Sequence, residues 1–458
     1  MKLTVIGGGG VRSPLFVMTV LRWQERIGLE ELCLMDVDEH KLSLIGAICQ
    51  ELVRRADEPF RLTITTDARQ ALTGAAHVVT TIRPGFEQGR ALDERIALQH
   101  GVLGQETTGP AGFAMALRSI PAILDYARLL QEVSPEAWMF NFTNPAGLVT
   151  QAVRDAGFTR IVGICDGANA AQHSVADWLG ISSQQVQTEV FGLNHLSWAR
   201  RAWVDGQDVL PGLLADDGFL RHAQAAFEPE LVRHMGMFLN EYLYYYYYAE
   251  RAVAALLAEP KTRGEEIFEL NRRLLEQLEE IDIARNPERA LRCYFGYERR
   301  RGATYMHYAY GGPSIEEADR NLIFDSEIPA EAGEGYAGVA LSLIEALTKN
   351  EPLHVAINVP NQGAIVGMGE TDVVEVSCRV DGEGIHVLPV GEVPEPQLGL
   401  MRAVKLYERL TVQAVQEKSR QRAIEALMAH PLVLSYSRAR SLVDAYLHVH
   451  RQYVGEWH

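Results

Sequence analysis

The chain is poor in cysteine. Five residues, Cys33, Cys49, Cys165, Cys293 and Cys378, are scattered through 458 positions. That spacing makes no disulfide framework and predicts a reducing compartment, the cytoplasm. Basic residues are also in short supply: 43 Lys and Arg stand against 60 Asp and Glu, a net charge of −17. With no dense Lys/Arg block, nucleic acid and anionic membranes are excluded as expected partners. No apolar run reaches the roughly 18 residues of a membrane span. The first apolar run begins at Lys2, which predicts no signal peptide. Internal repeats are missing, and the tyrosine run 244–248 is the one low-complexity stretch. What remains, 47% hydrophobic and 22% charged residues, is the composition of a soluble globular protein. A length of 458 residues exceeds one simple core, so two domains are expected.

The first forty residues organise the chain. Lys2-Leu3-Thr4-Val5-Ile6 is a short apolar run ending in Gly7-Gly8-Gly9-Gly10, then Val11-Arg12-Ser13. A second apolar run, Leu32-Cys33-Leu34-Met35, ends in Asp36. Strand, glycine turn, helix, strand, acid is the opening of a dinucleotide-binding βαβ unit. Glycines let the main chain approach a pyrophosphate, and the free N–H groups of the next helix face it. An acid ending the second strand accepts hydrogen bonds from a ribose diol and repels a 2′-phosphate, which favours NAD over NADP. Ser13 stands where the third glycine of the pattern is expected. A glycine cluster alone is equally an ordinary tight turn; the flanking strand and Asp36 favour the nucleotide.

Up to about residue 165, strands and helices alternate. Strands are expected at 2–7, 31–36, 61–67, 77–82, 137–143 and 160–165, with helices near 38–56, 113–132 and 146–156. This predicts an α/β fold with a Rossmann-like, doubly wound parallel sheet. Ligands of such sheets sit beyond the carboxyl ends of the strands. Those ends carry Gly7, Asp36, Arg83, Asn141, Asn144 and Cys165. Residues 83–112 are expected to form one long polar loop over the cofactor and substrate. Beyond Cys165, strands at 187–193 and 198–204 are expected to pair antiparallel. Long helices are expected near 228–257, 262–280 and 396–428. The expected division is a dinucleotide-binding domain at 1–165 and a mixed α+β catalytic and oligomerisation domain at 166–458.

Four constellations could carry chemistry. Cys165 and His195 each follow a predicted strand. Thirty residues apart, they make no local metal motif, and spacing alone favours a buried thiol and a core histidine. A thiolate plus an imidazole at a sheet edge would nevertheless suit a divalent metal with open positions. Asn141-Phe142-Thr143-Asn144-Pro145 turns from strand to helix; its asparagines either bind sugar or phosphate, or simply end the strand. In Asn240-Glu241-Tyr242-Leu243-Tyr244, a tyrosine beside a cation could act as a base, although tyrosines at helical spacing mostly pack. Arg299-Arg300-Arg301, with Arg90, could bind phosphate, although part of the triplet should be a solvated face.

At this point the motifs resemble a known family. IGGGG at 6–10, GQETTGPAGFAMALRSIP at 104–121, NFTNPAG at 141–147, GLNHLSW at 192–198, YLYYY at 242–246, NVPNQGAI at 358–365 and AVKLYERLT at 403–411 are similar to glycoside hydrolase family 4, most of all to its 6-phospho-β-glucosidase branch. The resemblance implies a lactate/malate dehydrogenase-like fold and an NAD-dependent exception to two-carboxylate glycosidases. It implies hydride transfer from sugar C3 to NAD⁺, proton loss at C2, elimination at C1, addition of water and return of the hydride. A divalent metal, typically Mn²⁺, would hold the C2 and C3 oxygens. On this chain the implied metal ligands are Cys165 and His195, and the C2 base is Tyr242. Arg90, Asn144 and Arg301 would hold the 6-phosphate; Gly7, Gly8, Gly9, Gly10 and Asp36 would hold NAD. The implied substrate is a phosphorylated disaccharide or glycoside, and the implied assembly a homo-oligomer, dimer or tetramer.

One run departs from the family. The β-branch usually reads Cys-Asn-Val-Pro at the metal cysteine and the α-branch Cys-Asp-Met-Pro; here the run is Cys165-Asp166-Gly167-Ala168. Asp166 is either a general acid for the leaving group or a helix N-cap. The anomer cleaved, and any action on unphosphorylated sugars, stay open. Two rivals remain: an NAD-dependent 2-hydroxy-acid dehydrogenase, and a non-catalytic sensor of NAD and sugar phosphate. The first needs no metal cysteine and the second no base.

Overall fold

The computed structural model describes residues 1–319, 324–329 and 335–458. Among the described residues thirteen strands are present, numbered in chain order. β1 Lys2–Ile6, β2 Glu31–Met35, β3 Arg61–Thr65, β4 His77–Thr80, β5 Trp138–Asn141 and β6 Ile161–Gly163 form a parallel array. Their spatial order is β3–β2–β1–β4–β5–β6, that of a doubly wound dinucleotide fold. The central strands are buried because helices cover both faces; Val78, Val79, Leu32 and Leu34 are fully buried, and so are Thr4 and Thr80. Each of the six strands expected before residue 166 is present, shortened by one to three residues.

The second half supplies a separate antiparallel sheet. β7 Val186–Leu193 and β8 Leu196–Val204 form a hairpin, with β9 Gln207–Asp208 and β10 Phe238–Leu239 paired to β8. The chain then returns to the first sheet. β11 Leu353–Pro360 joins β6 antiparallel at Asn358↔Gly163, followed by β12 Val373–Asp381 and β13 Gly384–Val387. Among the described residues the first sheet therefore has nine strands, and buried apolar side chains of both halves form one continuous core.

Three expectations need correction. Residues 83–112 are not one loop: Phe86–Gln99 is a helix, capped at Gly85 in the left-handed region. Its polar sequence hid it, because the helix buries charge on charge: Arg90, Asp93 and Glu94 are all under 10% exposed. The helix near 228–257 is broken into Pro229–Met235, β10, the 3-10 turn Glu241–Leu243, Tyr244–Tyr247 and Ala249–Ala258. Gly236, at φ 63°, stops the first piece, and the Asn240 side chain caps the turn before Tyr242. The helix near 396–428 is two, Glu395–Glu417 and Arg420–Ala429, parted by Lys418 at φ 51° and the Ser419 cap. The expected helix at 262–280 is present as Arg263–Glu279, opened by a Thr262/Glu265 capping box.

Strand order reverses between β1 and β4, and the crevice opens there, beyond their carboxyl ends. Gly7 lies at φ +99°, and a Cβ on it would meet the Thr81 carbonyl oxygen at 2.6 Å. On Gly8 a Cβ would meet the Leu34 Cβ at 2.7 Å. Glycine is thus required sterically at the first two positions of the turn.

Candidate active site

The glycine turn, Asp36 and the residues after β4 enclose a cavity of about 420 Å³. Asp36 accepts hydrogen bonds from Gly9 N–H at 2.9 Å and Asp38 N–H at 3.1 Å. Burial raises its pKa, and those two donors oppose the rise. The carboxylate is thereby oriented by the turn it faces, and its remaining lone pairs stay available to a diol. The helix Ser13–Ile27 begins directly after the turn, with Pro14 in its first turn and no acidic residue there. Its N-terminus keeps its positive end open toward the cavity. Narrow glycine passage, open helix N-terminus and oriented acid fit a dinucleotide.

A second cavity, about 360 Å³, is lined by Arg90, Glu106, Tyr242 and Arg301 among others. Arg12, Ile267 and Arg301 line both cavities, so the two adjoin. Of the residues singled out by sequence, Arg90 and Tyr242 line the second cavity, Gly7, Gly10 and Asp36 the first, and Arg301 both.

Cys165 and His195 meet although 30 residues separate them. Cys165 lies two residues beyond β6, and His195 is in the two-residue turn of the β7–β8 hairpin. Sγ and Nε2 are 3.4 Å apart. His195 has φ 61°, an outlier for a bulky residue and of the kind that clusters at functional sites. Its Nδ1 is 2.9 Å from Thr107 Oγ1, whose own proton points to Gln105 Oε1 at 3.1 Å. That chain assigns the proton to Nδ1 and leaves the Nε2 lone pair facing Cys165. Burial drops the imidazole pKa to about 4, so it is neutral. Burial, then Asp166 and Glu375, push the Cys165 thiol well above its usual range. A thiol so placed would give up its proton to solvent only with a cation beside it to stabilise the thiolate, which a divalent metal would provide. A thiolate sulfur and an imidazole nitrogen in contact, within negative surroundings, fit such an ion.

Tyr242 stacks on His195, ring centroids 3.8 Å apart and planes 5° from parallel. The 3-10 turn holds it: the Asn240 side chain accepts the Tyr242 N–H at 3.0 Å. Burial, then the Glu241 charge, hold its phenol well above the usual range, and the Tyr305 hydroxyl at 3.2 Å opposes them. Tyr244 and Tyr245 are buried packing residues.

Arg90 is 7% exposed and lies against two carboxylates. Its Nε donates to Glu94 at 2.7 Å, and its Nη1 pairs with Glu106. Burial opposes its charge, but the two acids outweigh burial and hold the guanidinium charged. Glu106 also receives Arg83 at 2.8 Å and is held well below the usual carboxylate range, burial notwithstanding. Of the arginine triplet, Arg299 is exposed, Arg300 bonds Glu266 at 2.7 Å, and Arg301 reaches the cavity. Asn144 is half-buried and precedes Pro145 through a cis bond. Asn141 is consumed by the turn, bonding Thr80, Thr143, Ala146 and Thr150. Asp166 is exposed, and its carboxylate accepts the Gly167 N–H at 3.1 Å as an N-cap.

Glu106, Thr107 and Arg12 escaped the sequence reading as site residues. The first two stand in GQETTG, so the motif was visible but its pairing across the fold was not. Gly112 fixes that loop: a Cβ there would lie 2.0 Å from the Thr107 carbonyl oxygen. Gly112→Ala is expected to displace Thr107 from His195 and to cost about 1–3 kcal/mol. Urea unfolding measures the cost, and Mn²⁺ titration should show weaker binding; an unchanged Kd would separate the loop from the Cys165–His195 pair.

Comparison with known proteins agrees over the whole length. The family model described as "Family 4 glycosyl hydrolase" matches residues 2–181, and that of its C-terminal domain matches residues 190–433. A probable 6-phospho-beta-glucosidase of Bacillus subtilis is 29% identical, covering 100% of this chain and 98% of its own. The structure of the 6-phospho-beta glucosidase from Thermotoga maritima with manganese, NAD⁺ and glucose-6-phosphate has a TM-score of 0.82 at 27% identity, over 99% of both chains. A 6-phospho-alpha-glucosidase from gut microorganisms, in complex with NAD and Mn²⁺, has a TM-score of 0.80 at 25% identity, over 100% of this chain and 99% of its own. A lactate dehydrogenase from a deep-sea metagenome shares the fold alone, at 12% identity and TM-score 0.52, over 91% of this chain and 98% of its own. The chain belongs to glycosyl hydrolase family 4.

Proposed function

We propose that this protein hydrolyses 6-phospho-β-glucosides, with NAD and a divalent cation such as Mn²⁺ as resident groups. The observation that carries the reading is the junction itself. Tyr242, stacked on the Cys165–His195 pair, lines an arginine-rich cavity that adjoins the glycine-turn crevice. When bound, NAD would supply reversible oxidation at sugar C3, and the cation would neutralise charge on the sugar oxygens. The glycine turn and Asp36 would orient the dinucleotide, and Cys165 and His195 would hold the cation. Tyr242 removes the C2 proton, which a neighbouring ketone makes acidic. Arg301 and Asn144 hold the 6-phosphate. Arg90, already facing Glu94 and Glu106, mainly fixes Glu106 beside the cavity. Asp166, engaged as a cap, is exposed enough to exchange a proton with a leaving group.

The division at 1–165 and 166–458 is proposed on the same basis: the first part binds NAD, and the second brings His195, Tyr242 and Arg301 to it. A cytoplasmic homo-oligomer is proposed as well. Among the described residues no helix is long and apolar enough to cross a membrane, and all five cysteines are free and buried. The test is hydrolysis of 4-nitrophenyl 6-phosphoglucosides, α and β, beside the unphosphorylated glucosides, with NAD⁺, Mn²⁺ and a reductant. Release from the 6-phospho-β-anomer is expected. Equal cleavage of unphosphorylated glucosides would sink the phosphate assignment, and preference for α would reverse the anomer. NADH accumulating with product would favour a dehydrogenase, and binding without turnover a sensor.

A further inference from the structure

Arg12 has no part in the reading above. It follows the glycine turn, immediately before the helix Ser13–Ile27, and is one of the few residues lining both cavities. Its Nε is buried and has no hydrogen-bond partner among the described residues. The same holds for Nε and Nη1 of Arg301, the other arginine on both walls. Buried guanidinium donors are almost always paired, so two such groups at one junction point to a missing acceptor. Both lie near Tyr336 and Tyr297: burial raises each phenol's pKa, and Arg12 and Arg301 are the two cations that oppose it. The other arginines of the sugar-side wall are spent. Arg90 serves Glu94 and Glu106, and Arg263 serves Glu266 and Thr304. The acid nearest Arg301, Glu298, is 3.7 Å away and makes no hydrogen bond through Oε1.

We propose that Arg12 and Arg301 together clamp the phosphomonoester of the sugar where the two cavities meet, which makes Arg12 a determinant of phosphate specificity. The inference rests on the phosphoglycosidase reading. A doubly charged phosphoryl group offers three oxygens to two planar forks, and both the charge and the donors match. The alternative source of the same chemistry is the dinucleotide pyrophosphate. That group is served by the N–H donors of the glycine turn and the helix end, which need no guanidinium. Where the sugar-side cavity meets that crevice, the unpaired buried donors are guanidinium groups.

The full-length protein is titrated calorimetrically with glucose 6-phosphate, with glucose and with NAD⁺. Arg12→Met keeps the unbranched stem and removes the fork; Arg12→Lys restores the charge. Circular dichroism and thermal unfolding check that both variants fold. In Arg12→Met, glucose 6-phosphate should bind roughly ten- to a hundred-fold more weakly, the loss of a charge-assisted contact. Glucose and NAD⁺ should be unaffected, and Arg12→Lys should recover part of the loss. Unchanged glucose 6-phosphate binding in Arg12→Met overturns the proposal, and so does a loss confined to NAD⁺. If the native protein itself fails to bind glucose 6-phosphate, the function proposed above falls, not merely the role of Arg12.

Discussion

Replacing Tyr242 with phenylalanine should lower kcat by about 10²–10⁴-fold, the usual contribution of a positioned base. The fold should survive. The ring stacks on His195 at 3.8 Å, and phenylalanine keeps that contact. The hydroxyl accepts a hydrogen bond from Tyr305 at 3.2 Å, and Tyr305 retains Glu241 at 2.7 Å. Little but the base is lost. KM should change less than kcat, because the hydroxyl acts as the C2–H bond breaks. The mechanism also leaves an isotopic record. In D₂O the product sugar should carry deuterium at C2, since the proton taken there exchanges before one is returned. Direct displacement through an oxocarbenium-like state never breaks that bond. NMR of the product reads the outcome: an active enzyme giving unlabelled C2 would refute the elimination route. Near-native turnover by Tyr242→Phe would move the base elsewhere.

Chelation should take activity to background, and Mn²⁺ should restore it. The reasoning is electrostatic. Cys165 is buried among the negative charges of Asp166 and Glu375, which favour the thiol over the thiolate. His195 is neutral, its lone pair turned to that sulfur. Together they form a neutral pair in negative surroundings, and a cation held between them would draw out the thiolate. Cys165→Ser should weaken Mn²⁺ binding, measurable by electron paramagnetic resonance of free Mn²⁺, with little effect on NAD⁺ affinity. Dinucleotide removal should likewise stop turnover. Undiminished hydrolysis by chelated, NAD-free protein would falsify the cofactor assignment. Oxidants should inhibit as well, because the metal-bound sulfur would be a thiolate.

The βαβ opening was legible residue by residue. Apolar runs fix β1 and β2, the glycines fix the turn, and Asp36 fixes the strand end, because each depends on local rules of backbone sterics and periodicity. The hairpin of β7 and β8 was legible for the same reason. Motifs such as GQETTG and GLNHLSW marked where function lies but not what touches what. The helix Phe86–Gln99 was missed because its buried face is ionic: Arg90, Asp93 and Glu94 are satisfied by partners far along the chain, including Arg118, Glu106 and His450. Hydrophobic periodicity cannot report such a face. The breaks at Gly236 and Lys418 depend on single left-handed residues, which pattern reading smooths over. Spacing also argued against a joint role for Cys165 and His195. Tertiary structure alone brings the end of β6 to the turn of the β7–β8 hairpin, and sets Thr107 to choose the tautomer. Arg12 shows the limit most plainly. After a glycine turn it is an ordinary residue; the role proposed for it arises only because the fold places it on the walls of two cavities, with a buried donor that no described residue receives.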